Sequence, residues 1–354
     1  MRTISGIALF VIAGLLTAVG IGFSSQFNSG PHAYDDEQTG LNEQTLIRFS
    51  FVVAENTPKG LAAQKFAQIV KEKTNDHIKV ELFPNGSLYN ETDEMEALQR
   101  GSVQMIAPSF SNISEVVPEW MVMDLPFAFH NEEDVEKAFR GKIGSILQKK
   151  LESNGMVGLG FWANGFQQMT SNQRPLIHPE DFHDLKFRIL PSKVIESQFR
   201  QLKARTYPIP FNQVYRSMES GDVDSGENSI SNIYSKKLYQ VQKYMTLSNH
   251  AFLGYGVLMN RSFWNNSLTS AQREALTEAM QETTIWANQN AISINQKQWD
   301  ELKRMSQLQI HILTEDERAE WQQVLEPVYR EAQTFIGKEL IGAVNELRGR
   351  NFAE

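Results

Sequence analysis

Among the ionisable side chains, Arg188 is the one whose chemistry and setting agree. Leu185, Phe187 and Ile189 fall on one face of a strand and leave Arg188 on the other, near the C-terminal end, where open α/β sheets bind ligands. A guanidinium there can give two parallel charge-assisted hydrogen bonds to a carboxylate, which an ammonium cannot reproduce. Taken alone, a surface ion pair is the favoured role, because most lone arginines are exposed. Other constellations stop short of chemistry. No G-x-S-x-G, H-E-x-x-H, Walker loop or G-x-G-x-x-G occurs. Asp222, Asp224 and Gly226 are spaced like the start of a calcium loop, but Ile233 stands where the bidentate glutamate belongs. The run from His130 to Asp134 is a helix start with acids at its positive end rather than a metal site. Without a nucleophile and base pair, reversible binding is the expected class and no enzyme activity is expected.

Composition narrows the class further. At 354 residues the chain is long enough for two lobes around separate cores. Its 41% hydrophobic and 21% charged residues are those of a folded globular protein. A net charge of −8, with acids and bases interspersed, gives nucleic acid no electrostatic footprint. With no cysteine, disulfides, thiolate metal sites and a lipid-modified N-terminal cysteine are all excluded. After Arg2, the apolar run Ile7 to Phe23 is a signal peptide or an N-terminal membrane anchor over residues 1–23, so the protein is exported. Residues 24–44, rich in Ser, Asn, Gly and Asp, are a flexible tether.

The elements that position Arg188 follow from periodicity. Alternation marks a strand from Leu46 to Val53, and Thr57-Pro58 caps a helix carrying Leu61, Ala62, Phe66, Ile69 and Val70. A strand at 78–83, a turn at Asn85-Gly86, a helix from about Thr92 to Arg100 and a strand at 103–107 complete a βαβαβ unit with a parallel sheet. Further strands are expected at 157–162, 186–190 and 255–260, with helices at 143–151, 193–202 and 211–219. From Ser270 to about Ser306 neither Gly nor Pro interrupts, which predicts one helix of roughly 37 residues, about 55 Å long, with Trp286, Trp299 and Met305 in the core. A capping box at Thr314 and Glu317 opens another helix.

Several stretches together resemble the DctP-type solute-binding proteins of tripartite ATP-independent periplasmic (TRAP) transporters. They are Phe51 to Gly60 (F-V-V-A-E-N-T-P-K-G), Trp162 to Phe166, Asp184 to Arg188, Phe211 to Tyr215, Gly221 to Asn228 and Ser248 to His250, in order from about residue 46 to the C-terminus. The V-A-E-N-T-P-K-G stretch and the one from Ser231 to Lys236 are similar to the C4-dicarboxylate branch. The resemblance implies a two-lobed periplasmic-binding-protein-like α/β fold with discontinuous domains and a long helix spanning both lobes. Domain I would be 45–164 and 252–292, and domain II 165–251 and 293–354. It also implies capture of a small organic anion, such as succinate, fumarate or malate, for TRAP membrane permease subunits. A co-sensor presenting the dicarboxylate to a membrane sensor kinase or carrier would use the same fold and site. No cofactor, metal or nucleic acid is implied.

By the same resemblance, Arg188 is the carboxylate-binding arginine, Asn228 the site asparagine and Phe211 an aromatic closing over the ligand. A buried core Phe and a turn Asn are the plain alternatives for the last two. Asn164 and Trp162 lie where the chain crosses between lobes, as contacts or as hinge residues. Gln167 stands where many members carry Arg or Lys, so the second carboxylate of a dianion needs another cation. Lys59 is the choice, on the loop and first helical turn after the first parallel strand; an exposed first-turn lysine is the rival. Location is then periplasmic, or extracytoplasmic and tethered by the N-terminal segment.

Overall fold

The computed structural model describes residues 44–305 and 307–349. The proposed signal or anchor and residues 24–43 of the tether lie outside them. One nine-stranded sheet organises the chain: β1 (Thr45–Ser50), β2 (Ile78–Phe83), β3 (Met105–Ile106), β4 (Met156–Ser171), β5 (Lys186–Ile189), β6 (Arg205–Pro208), β7 (Ser225–Ser229), β8 (Tyr244–Asn260) and β9 (Gln309–Ile312). The order is β2-β1-β3-β8-β4-β7-β5-β6, with β9 beside β8. β2-β1-β3 is parallel, as the βαβαβ pattern requires, and β7-β5-β6 repeats that arrangement on the other side. Two long antiparallel strands, β4 and β8, join these lobes.

Local chemistry explains the first helix, Pro58–Lys73. Thr57 caps it, its Oγ1 accepting from the Gly60 N–H at 3.2 Å, and Pro58 fills a first-turn position that needs no donor. At position 60 any Cβ would lie 2.4 Å from the Ala54 carbonyl oxygen, so only glycine fits. The Thr314–Glu317 capping box forms as expected, opening the helix Glu315–Ile336.

Apolar packing divides the molecule by sheet face rather than by lobe. Met105 and Ala107 pack on one face and Ile106 on the other; Trp162 and Phe161, and Val257 and Leu258, split likewise. Each cluster runs across both lobes, because the lobes share a continuous sheet, so the expected separate cores are replaced by two shared layers. The long helix, Ser270–Leu302, is 33 residues rather than 37 and covers one face through Leu276, Ala279, Met280, Ala287 and Ala291. That spacing puts Trp286 on the outward side, 36% exposed, correcting its assignment to the core. Trp299 and Met305 are partly buried against the cluster.

The long helix also secures the strand crossing. β4 is bulged between Ala163 and Gly165. Asn288 Oδ1 accepts from the Ala163 N–H at 2.8 Å, and Asn295, two turns on, donates to the Asn164 carbonyl and accepts from the Ser231 N–H at 3.0 Å. Asn295→Leu leaves two backbone groups without partners and is expected to destabilise by about 1–3 kcal/mol. Ser293→Ala, on the exposed side, is expected to change stability by less than about 0.5 kcal/mol. Denaturant unfolding of both variants checks the contrast.

Candidate ligand-binding site

Arg188 lies in β5 on the face opposite Phe187 and Ile189, as strand periodicity requires, and is only 2% exposed. Gly226 is its parallel neighbour in β7, and a Cβ there would meet Met218 Cε at 2.6 Å, so the missing side chain lets Met218 pack beside the arginine's stem. Nε donates to the Ile209 carbonyl at 2.8 Å, which fixes the fork, while Nη2 is buried with no hydrogen-bond partner among the described residues. Burial lowers its pKa from the ordinary value, opposed by Glu91 and then Glu227. A guanidinium so placed stays charged and has donors to spare.

Two residues further along β7, on the same face, Asn228 is buried. Its Oδ1 accepts from Asn232 Nδ2 at 2.7 Å and from the Ser229 N–H, which points the amide nitrogen away from its own turn. Phe211 opens a 3-10 turn, Phe211–Gln213, with its ring 4.8 Å from Lys236 Nζ. Gln167 is buried in β4, and its Oε1 has no partner among the described residues.

Lys59 is buried too, 2% exposed, which removes the exposed-lysine alternative. Its Nζ donates to the Ala107 carbonyl at 2.8 Å and sits 3.8 Å from the centre of the Tyr255 ring. Burial lowers its pKa to about 8, against the pull of Glu94 and Glu91. Asn164 is committed inside the protein: Nδ2 donates to the Tyr255 hydroxyl at 2.7 Å and Oδ1 accepts from Ser231 Oγ at 2.6 Å. With the Asn295 contact, Asn164 is tied to β8, to the Ser231 turn and to the long helix.

Three groups were not singled out from the sequence. Glu91 Oε2 accepts from the Phe211 N–H at 2.6 Å, and its charge acts on Lys59, Arg188 and Lys236, so it is the charge neighbour these three cations share. Lys236, half-buried over Phe211, has its pKa lowered by burial. On the reverse face of β7, Glu227 Oε2 meets His250 Nε2 at 2.8 Å, and His250 Nδ1 meets Ser248 Oγ at 2.7 Å, in full burial. The motifs carrying Glu227 and His250 gave the only sequence signal for that pair. Lys236 closes the stretch from Ser231 that resembles the C4-dicarboxylate branch, and Glu91 had no signal beyond its type.

Arg188 and Lys59 are two buried cations that share Glu91 as a charge neighbour, chemistry that suits a small anion. Comparison with known proteins agrees in kind. The family model for bacterial extracellular solute-binding proteins, family 7 (DctP), matches residues 49–334. The chain is 46% identical over 348 residues to the C4-dicarboxylate-binding protein DctB of Bacillus subtilis, covering 98% of this chain and 99% of that one. It is 43% identical to the C4-dicarboxylate-binding periplasmic protein DctP of Rhodobacter capsulatus, covering 86% and 91%. A TRAP periplasmic solute-binding protein from Sulfurospirillum deleyianum, solved with bound succinate, superimposes with a TM-score of 0.82 at 38% identity, covering 86% and 99%.

Proposed function

The chain belongs to family 7 of the bacterial extracellular solute-binding proteins, and from that premise we propose that it captures a C4-dicarboxylate outside the cytoplasm for the permease subunits of a TRAP transporter. The observation that carries this reading is the buried Arg188 fork, whose Nη2 has no partner among the described residues, together with a second buried cation, Lys59, under the same Glu91 charge. Two cations in one dry cleft suit a dianion and disfavour a neutral solute. The relatives that bind C4-dicarboxylates support the ligand class. The two lobes are 45–164 with 252–292 and 165–251 with 293–354, hinged at the Ala163–Gly165 bulge and the helix that braces it. Export rests on the Ile7 to Phe23 run, with the protein either periplasmic or held at the membrane by that segment.

Binding is a two-state event in which contacts from both lobes form only when they meet. In a thermal-shift panel of succinate, fumarate, malate, 2-oxo acids and sugar acids at one common concentration, stabilisation ranks the ligands by affinity and reaches about 2.7 kcal/mol for one present at 100 times its Kd. C4-dicarboxylates should lead that panel; a sugar acid leading it instead would refute the ligand class. Solution scattering is expected to show a smaller radius of gyration at saturating succinate. An unchanged profile with confirmed binding would refute closure.

A further inference from the structure

We propose that Glu94 is a specificity-determining residue of the cleft, donating its carboxyl O–H to the distal carboxylate of the dicarboxylate whose near end Arg188 holds. The inference deepens the ligand reading above and rests on it. Glu94 is 0% exposed, and neither of its oxygens has a hydrogen-bond partner among the described residues. Buried polar side chains nearly always find partners, and one left with none inside the protein points to a partner from outside it. The charges that act on Glu94 are the Lys59 ammonium at the start of the first helix and the Glu91 carboxylate from the preceding loop, and Glu94 acts in turn on the Tyr255 phenol of β8, over whose ring the Lys59 ammonium lies.

Chemistry decides what Glu94 offers. Burial raises its pKa to about 8, with Lys59 pulling it down and Glu91 pushing it further up. At neutral pH the group therefore keeps its proton and is a hydrogen-bond donor, as a carboxylic acid in an apolar setting can be. Lys59 has given one N–H to the Ala107 carbonyl, leaving two. A carboxylate, with two oxygens and about four acceptor sites, satisfies the remaining Lys59 donors and the Glu94 O–H together. A terminal methyl satisfies none of them. The distal end of the cleft thus selects succinate over butyrate, and the selection weakens once Glu94 ionises, because the donor becomes a second negative charge.

Glu94→Met and Glu94→Gln, measured by calorimetry at pH 6.5 and 9 and by thermal unfolding without ligand, test this. Removing an unpartnered buried carboxyl is expected to raise the unfolding temperature of ligand-free E94M while weakening succinate about 10- to 100-fold at pH 6.5. The weak binding of butyrate should stay unchanged. E94Q, which keeps an N–H donor that does not titrate, should recover most of that loss and show a smaller fall in affinity from pH 6.5 to 9 than wild type. Succinate bound equally by E94M and wild type would overturn the inference. So would E94Q failing as badly as E94M, or E94M losing thermal stability along with affinity, which would mark Glu94 as a support of the fold. A wild-type protein that binds no C4-dicarboxylate overturns the ligand reading and this inference together.

Discussion

Arg188→Ala loses about 3–5 kcal/mol of succinate affinity, a fall of two to nearly four orders of magnitude in Kd, because it leaves a carboxylate buried opposite nothing. Arg188→Lys is expected to recover little of that loss. The guanidinium does two jobs at once: Nε is spent on the Ile209 carbonyl at 2.8 Å, and Nη2 remains for the ligand. A lysine at this position is shorter and lacks the planar fork, so its ammonium cannot meet the Ile209 carbonyl and the ligand carboxylate in the directions that Nε and Nη2 do. Isothermal titration calorimetry of both variants checks this, alongside unfolding curves to confirm that they fold. Near-normal affinity in the lysine variant would take Arg188 out of the site.

How much of this was legible in the sequence depends on whether the signal was local. The parallel unit β2-β1-β3 and the cap of the first helix are written in short stretches: alternating Ile47, Phe49 and Phe51, then Thr57-Pro58. The face of Arg188 was legible for the same reason, since strand period puts it opposite Phe187 and Ile189, whereas its ligand role rested on the family resemblance. The long strands were not. β4 reads as a strand only to Trp162, because Asn164 and Gly165 look like a break, whereas the chain continues through a bulge whose backbone groups are met by Asn288 and Asn295 from more than a hundred residues away. β8 was seen only from Tyr255 on, and β9, four residues at an edge, not at all. The same logic separates the site residues. Lys59 could be placed on the right loop, but that its ammonium lies buried over Tyr255 depends on tertiary packing. Glu91 and Glu94 sit in an ordinary acidic stretch, and only the fold makes one a bridge to Phe211 and the other a dry acid.

Lys59→Met is expected to weaken succinate by about 2–4 kcal/mol, as for one partner of a buried charge pair, while leaving the weak binding of butyrate almost unchanged. The asymmetry follows from position. Arg188 lies in β5 of one lobe and Lys59 at the start of the helix after β1 in the other, so a monocarboxylate held by the fork has nothing left to present to the ammonium. Lys236 is the rival for the second carboxylate. It lies over Phe211 and feels Glu91, but it is only half-buried, so water screens its charge and the same substitution there should cost less than about 1 kcal/mol. The pH profile separates them further. With the Lys59 pKa lowered to about 8, the ammonium is charged below that pH and becomes a neutral amine above it, so wild-type affinity for succinate falls as pH rises through about 8. Lys59→Met should lose its own share of that alkaline fall and keep only what Glu94 contributes. Equal weakening of succinate and butyrate by Lys59→Met, or a larger loss from Lys236→Met, would place the second carboxylate at the mouth of the cleft or among the amides of Asn228 and Gln167.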